Sequence, residues 1–136
     1  FMALSPIVYA DLLGEKVERL KVNVWLVNTG WTGGPYGVGS RMKLKYTRAM
    51  ISAALEGQLD NVQYVKDPIF GLNIPVECPE VPTELLNPRN TWEDQESYDA
   101  KANELAAKFV KNFSKFEDQA NEEIMAASPK KVTANV

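Results

Sequence analysis

The sequence has 136 residues, of which 45% are hydrophobic and 24% charged, which is typical of one globular domain. Its net charge of −3 argues against a nucleic-acid partner, and no apolar run approaches the roughly 18 residues of a membrane span. The single cysteine, Cys78, excludes an internal disulfide and indicates a reducing compartment. The chain contains no histidine, so histidine-based catalytic triads are excluded.

The first two predicted elements are a helix and a buried strand. Ser5 and Pro6 form a helix start, with serine at the N-cap and proline at the first helical position, and apolar residues continue at helical spacing to Leu20. Residues 22–27, VNVWLV, are mostly β-formers and predict a buried strand. A helix followed by such a strand predicts an α/β layer.

A glycine-rich loop over residues 28–40 follows, and its sequence GPYGVGSR nearly matches the Walker A pattern. Gly34 and Gly39 have the right spacing, but Ser40 stands in place of the lysine and Arg41 in place of the Ser/Thr. Serine cannot supply the cation and arginine cannot bind the magnesium, so this is no ordinary phosphate loop. Two interpretations stay open: a surface loop rich in turn residues, or a loop that lets the backbone approach a ligand.

The middle of the chain predicts one helix and three short strands. Residues 42–44 are a possible strand, and residues 46–56 carry an apolar face at helical spacing, with Gly57 placed as the C-terminal cap. Strands are predicted at 62–65 and 72–74.

Residues 67–92 contain five prolines with apolar residues between them. This composition predicts an ordered, extended strap that lies over a larger body. We expect the rest of this chain to offer too little surface for it.

The clearest element is an amphipathic helix over residues 94–116. Its apolar stripe consists of Tyr98, Ala102, Leu105, Ala106, Phe109, Phe113 and Phe116. Residues 117–127 predict a further short helix, and residues 129–136 a disordered tail.

Four stretches of the sequence resemble the ATP-dependent phosphoenolpyruvate carboxykinases. They are NVWLVNTGWTGGPYGVGSRMKLKYTRAMI, DPIFGLNIPVECP, VPTELLNPRNTW and KFVKNFSKF. The resemblance runs from the start of the chain to about Phe116 and corresponds to the C-terminal end of a much longer polypeptide. It implies that residues 1–136 are the C-terminal part of a mixed-sheet nucleotide-binding domain of α/β class, ending in a long amphipathic helix.

The resemblance also implies an activity. The family converts oxaloacetate and ATP to phosphoenolpyruvate, ADP and carbon dioxide, in gluconeogenesis and in the cytoplasm. It uses Mg²⁺ on the nucleotide and a second divalent metal, usually Mn²⁺. The family's phosphate loop, metal ligands and oxaloacetate-binding arginines lie upstream of Phe1. We therefore expect this segment to hold no catalytic or metal-binding residue, to need the remainder of the carboxykinase chain, and to be inactive alone.

By motif, the family's contacts to the adenine end of ATP fall on Arg41, Met42 and Thr47. A guanidinium can stack on a flat ring, a thioether offers an apolar contact, and a threonine can donate a hydrogen bond. Each residue also has a plain structural interpretation: a solvated charge for Arg41, core packing for Met42 and a helix N-cap for Thr47.

Two other functions remain possible from the sequence. The first is a stand-alone helical interaction module that binds a partner through the apolar face of residues 98–116. The second, which lacks a phosphate anchor, is an independent nucleotide-binding module. Trp25 and Trp31 are interpreted as packing residues, and Cys78, with no base near it in the sequence, is not expected to be a catalytic thiol.

Overall fold

Helices and short strands alternate along the chain in the computed structural model, which describes residues 3–28 and 30–130. The helices are α1 (Pro6–Leu20), α2 (Leu44–Leu55), α3 (Gln95–Phe113) and α4 (Glu122–Ala126), and the strands are β1 (Trp31–Thr32), β2 (Ser40–Arg41), β3 (Tyr64–Lys66) and β4 (Asn73–Pro75). Short 3₁₀ helices occupy Thr83–Leu85, Pro88–Thr91 and Ser114–Gln119. No helix among these is long and apolar enough to cross a membrane.

The strands form two separate antiparallel pairs. In the first, β1 pairs with β2, with Trp31 opposite Arg41 and Thr32 opposite Ser40. In the second, β3 pairs with β4, with Val65 opposite Ile74 at its centre. The prediction of mixed helix and strand is therefore confirmed, and the sheets within the described residues are small.

Two small clusters of buried side chains form the core. The first contains Ala53, Leu59, Cys78 and Val81, and the second contains Ile69, Ala102 and Ala106. The first joins α2 to the proline-rich segment, and the second joins the start of that segment to α3. The proline-rich segment, residues 67–92, therefore contributes to both clusters.

The helix predicted from Ser5 and Pro6 is confirmed as α1. Ser5 is its N-cap residue, but the Ser5 hydroxyl does not bond to the helix; it donates to Oε1 of Gln119 at 3.0 Å. Of the α1 residues, Ile7 is the one that is buried. Most of the apolar face of α1 is thus exposed.

The buried strand predicted at residues 22–27 is wrong for this structure. Residues 22–28 are in no helix or strand, and Val24 and Leu26 are 60% and 78% exposed. A β-forming sequence becomes a strand only when a neighbouring strand accepts its backbone hydrogen bonds. No described segment does so here. Trp25 is the one residue of 22–28 that is not exposed; it is half-buried against the first cluster.

The strand predicted at 42–44 is also wrong. The strand lies two residues earlier, at β2, where a hairpin partner exists, and α2 already begins at Leu44. Gly57 ends α2 as the predicted C-terminal cap, at the position directly after the C-cap residue Glu56. Its φ is +70°, its N–H bonds to the Ala54 oxygen, and the Gln58 N–H bonds to the Ala53 oxygen, which is the Schellman arrangement.

The proline-rich segment is ordered as predicted, but it is not a uniformly extended strap. It contains β4 and two 3₁₀ helices, and it buries Cys78 and Val81 on the chain's own first cluster. The expectation that this chain offers it too little surface is therefore wrong for this part of the segment.

The long helix and the short helix after it are confirmed as α3 and α4, but α3 ends at Phe113, and Phe116 lies in the 3₁₀ helix Ser114–Gln119 that separates the two. Asp94 caps α3, its carboxylate accepting from the Glu96 N–H at 3.0 Å. At the start of the tail predicted over residues 129–136, the Lys130 N–H donates to the Ile69 oxygen at 2.7 Å. Residues 131–136 of that prediction lie outside the described residues.

We predict opposite effects for two glycine-to-alanine substitutions. Gly57→Ala should lower the free energy of unfolding by about 1–2 kcal/mol, because alanine disfavours a positive φ. Its Cβ would also lie 3.1 Å from Oδ2 of Asp60. Gly14→Ala, within α1, should raise it by up to about 1 kcal/mol, since an added Cβ there meets nothing within 4 Å. Urea-unfolding midpoints of the protein carrying each substitution test this; equal shifts of one sign would contradict it.

A second prediction concerns Asp99, which accepts two bonds from Arg89 at 2.8 and 2.9 Å. The hydrogen bond from Arg89 lowers the Asp99 pKa below its ordinary value of 3.8. The folded pKa is thus below the unfolded one, so the pair stabilises fully above about pH 4 and loses this effect as the pH falls through the folded pKa.

Asp99→Asn should therefore lower the urea midpoint at pH 7, and its difference from the unsubstituted protein should shrink in acid. Asp118→Asn, in the 3₁₀ helix Ser114–Gln119, is the control and should change little. A difference for Asp99→Asn that is constant between pH 7 and pH 2 would contradict the assignment.

Candidate functional site

The three residues predicted to contact adenine lie where the first hairpin joins α2. Arg41 ends β2, Met42 follows it, and Thr47 is one turn inside α2. The junction is short because the N-cap of α2 is Lys43, so the helix begins directly after the hairpin. The structure therefore brings the three residues onto one hairpin-to-helix connection.

Arg41 presents an unpaired cation. It is exposed, and no other described residue forms an ion pair or a side-chain hydrogen bond with it. Trp31 is its partner across the hairpin, and side chains directly opposite each other in an antiparallel pair lie on the same face. The solvated-charge interpretation fits this exposed side chain, whose guanidinium is also accessible to a ligand.

Met42 lies between the hairpin and a large cleft. Its N–H donates to the Gly30 oxygen at 3.1 Å, and its half-buried side chain lines the cleft. Thr47 is half-buried, and its N–H donates to the Lys43 oxygen at 3.5 Å. The interpretation of Thr47 as the helix N-cap is wrong, because that position belongs to Lys43. Arg41 and Thr47 do not line the cleft.

The cleft has a volume of about 840 Å³, within the range of small-molecule and cofactor sites. All three tryptophans, Trp25, Trp31 and Trp92, line it. Other lining residues are Asn28, Thr32, Met42, Met50, Asp60, Tyr64, Leu72, Ile74, Cys78, Leu85, Leu86 and Thr91. Sequence reasoning assigned Trp31 to packing and gave Trp92 no role. In the structure Trp31 is 48% exposed. Its ring packs edge-to-face with that of Tyr36, with 5.3 Å between the ring centroids.

The glycine-rich loop is a tight turn that packs on itself. The Gly39 N–H donates to the Pro35 oxygen at 2.9 Å, and a Cβ at Gly39 would lie 2.5 Å from the Gly34 oxygen. Gly34 and Gly39, the two glycines of the near-Walker pattern, therefore lie so close together that a side chain at Gly39 would not fit. The interpretation as a turn-rich loop accounts for them without a ligand.

The titratable side chains among the described lining residues are Asp60, Tyr64 and Cys78. Burial raises the pKa of the Cys78 thiol, which disfavours the reactive thiolate. Burial, and then the charge of Asp60, raises the pKa of Tyr64, whose hydroxyl donates to the Leu59 oxygen at 2.7 Å. Within residues 3–28 and 30–130, no group of three His, Cys, Asp or Glu side chains could hold a metal ion. The arrangement can bind a flat, partly apolar molecule.

Comparison with known proteins gives a consistent result. The model of the phosphoenolpyruvate carboxykinase family matches residues 1–84. The chain is 66% identical over 129 residues to the phosphoenolpyruvate carboxykinase (ATP) of Christiangramia forsetii, which covers 95% of this chain and 24% of that protein. It is 62% identical over 130 residues to the protein of the same name in Alkaliphilus oremlandii, covering 96% of this chain and 24% of the relative. The chain thus spans about a quarter of the length of the curated relatives it matches.

Proposed function

The chain belongs to the ATP-dependent phosphoenolpyruvate carboxykinase family, and on this premise we propose that it supplies one side of the adenine pocket of such an enzyme. The contacts are assigned to Arg41, Met42 and Thr47. Residues 1–136 are then the C-terminal part of the mixed-sheet nucleotide-binding domain. The remaining carboxykinase polypeptide is the partner that completes both the sheet and the site.

The activity of the whole enzyme belongs to this proposal. It converts oxaloacetate and ATP to phosphoenolpyruvate, ADP and carbon dioxide, as part of gluconeogenesis in the cytoplasm. Mg²⁺ and Mn²⁺ would neutralise the phosphates and polarise the reacting oxygens. The described residues contain no suitable cluster of metal ligands, so we assign both metals to the rest of the polypeptide and derive no step through them here.

The observation that carries the proposal is the pair formed by Arg41 and Met42 at the hairpin-to-helix junction. A purine base has flat apolar faces and a polar edge. An unpaired guanidinium suits the face by stacking or the edge by donating, and the adjacent thioether lines an apolar cleft. The hydrogen bond from the Met42 N–H to the Gly30 oxygen holds Met42 against the hairpin.

Thr47 supports the pair from a position one turn inside α2. Its backbone N–H is already used by the Lys43 oxygen, so the hydroxyl is the group that remains for a ligand. Because α2 starts directly after the hairpin, any shift of Met42 also moves the start of the helix that carries Thr47. The three proposed contacts therefore lie on one short stretch of the chain, residues 41–47.

The alternative function, a helical interaction module, loses support from the packing of α3. Ala102 and Ala106 belong to the apolar stripe that was its binding face, and both are buried against Ile69 of the same chain. Leu105 and Phe109 remain exposed at 45% and 52%. The centre of the face is thus already occupied by the proline-rich segment.

We predict that Arg41→Ala in the full-length enzyme raises the KM for ATP by about three- to tenfold and changes kcat little. Contacts to adenine are made equally in the ground state and the transition state, so their loss weakens binding without slowing the chemical step. The measurement is steady-state kinetics with ATP varied at saturating oxaloacetate. Arg48→Ala, an exposed arginine further along α2, is the matched control. An unchanged KM for ATP in Arg41→Ala would remove Arg41 from the site.

The isolated chain should form no phosphoenolpyruvate from oxaloacetate and ATP, even with Mg²⁺ and Mn²⁺ present. Its described residues hold no cluster of three His, Cys, Asp or Glu side chains for a metal ion, and burial raises the pKa of its one cysteine. An assay for phosphoenolpyruvate release with the full-length enzyme as positive control tests this. Turnover by the isolated chain above the buffer background would place catalytic residues within it.

A further inference from the structure

The hydroxyl of Thr91 joins the glycine-rich hairpin to a distant part of the chain. The Gly33 N–H donates to Thr91 Oγ1 at 3.1 Å, across 58 residues of sequence, and the same hydroxyl donates to the Pro88 oxygen at 2.7 Å. One oxygen atom thus accepts from the hairpin and donates to its own 3₁₀ helix. Both bonds use the hydroxyl, and neither can be made by an apolar side chain of the same shape.

The hairpin needs an external attachment because its own ladder is short. β1 and β2 contribute two residues each, and isolated two-stranded ribbons are marginally stable in water. The tip adds little packing, since Tyr36 and Val38 are 85% and 74% exposed. The orientation of β2, and of Arg41 at its end, therefore depends on what holds the strand opposite and the turn that follows it.

The attachment point is itself held by side-chain hydrogen bonds. Thr91 ends the 3₁₀ helix Pro88–Thr91, whose Arg89 binds both carboxylate oxygens of Asp99 on α3, at 2.8 and 2.9 Å, and donates to Gln95 at 2.5 Å. The Asn87 side chain caps the same 3₁₀ helix by accepting from the Arg89 N–H at 3.1 Å. Thr91 thus connects the hairpin by a hydrogen bond to the 3₁₀ helix Pro88–Thr91, and Arg89 connects that 3₁₀ helix to α3.

Thr91 also lies beside the site itself. It lines the same cleft as Met42 and Trp31. The hydroxyl bond reaches the chain at Gly33, one residue after β1, and β1 pairs directly with the strand that ends in Arg41. Loss of the bond would leave the half-buried Gly33 N–H without its partner and free the hairpin to change its angle over the cleft.

We propose that Thr91 is a positioning residue for the nucleotide, whose hydroxyl holds the hairpin at the angle that presents Arg41 and Met42 to adenine. This inference rests on the proposed function and deepens it. Thr91 needs no contact with the nucleotide, because its effect passes through Gly33 and the β1–β2 pairing.

The test uses four variants of the full-length enzyme. Thr91→Val keeps the shape and removes the hydroxyl, and Thr91→Ser keeps the hydroxyl. Thr83→Val makes the same chemical change at an exposed threonine of the preceding 3₁₀ helix, and Arg41→Ala reports on the adenine site itself. For each we would measure kcat, the KM values for ATP and oxaloacetate, and the thermal midpoint.

The expected result for Thr91→Val is a KM for ATP raised about three- to tenfold, the effect of one hydrogen bond, with kcat and the KM for oxaloacetate unchanged. Thr91→Ser should restore the KM for ATP, and Thr83→Val should match the unsubstituted enzyme. ITP differs from ATP only in its base. Because adenine is the group affected, Thr91→Val should also lower the ratio of kcat/KM for ATP to kcat/KM for ITP.

Three results would overturn the inference. If Arg41→Ala raises the KM for ATP and Thr91→Val does not, Thr91 has no positioning role, and the proposed function stands. If neither variant changes it, the adenine assignment and the inference fall together. If Thr91→Val lowers kcat, raises both KM values and lowers the thermal midpoint, its role is general stability, and positioning of the nucleotide is excluded.

Discussion

The described structure depends on the packing of the proline-rich segment, residues 67–92, against both core clusters. One end of the segment buries Ile69 against α3, and its middle buries Cys78 and Val81 against α2. Prolines restrict the backbone of this segment before folding, so fixing it on the two clusters loses less conformational entropy than a freely rotating chain would lose. At the C-terminal end of the segment, Arg89 forms an ion pair with Asp99 of α3. The hairpin and the cleft are arranged around this framework.

Elements whose signals are local were predictable from the sequence. The helices α1 and α3 carry their own periodicity and N-cap residues, and Gly57 marks the end of α2 by its own conformational preference. Residues 22–27 show the limit of such signals, because their β-forming character specifies a strand only if another strand lies beside it. The position of β2 depends in the same way on its partner β1, which explains why the strand expected at 42–44 lies at Ser40–Arg41.

The candidate site was likewise predictable only where it depends on local sequence. The motif selects Arg41, Met42 and Thr47 by their order along the chain, and the structure places all three on one hairpin-to-helix connection. The meeting of Trp31, Trp92 and Met42 in one cleft could not be read from the sequence, since it depends on how the proline-rich segment returns to the hairpin. The bond between Gly33 and Thr91 joins residues that no local pattern connects.

The contact between Gly34 and Gly39 has a consequence for the length of the hairpin tip. These two residues close the turn at its base, and the four residues between them, 35–38, project beyond the closure. Extra residues added between Tyr36 and Gly37 would extend the projecting part and leave the pairing of Trp31 with Arg41 in register. Each doubling of such a loop costs only about 0.6 kcal/mol in closure entropy. Insertions can therefore accumulate at this tip while the residues that follow it keep their places.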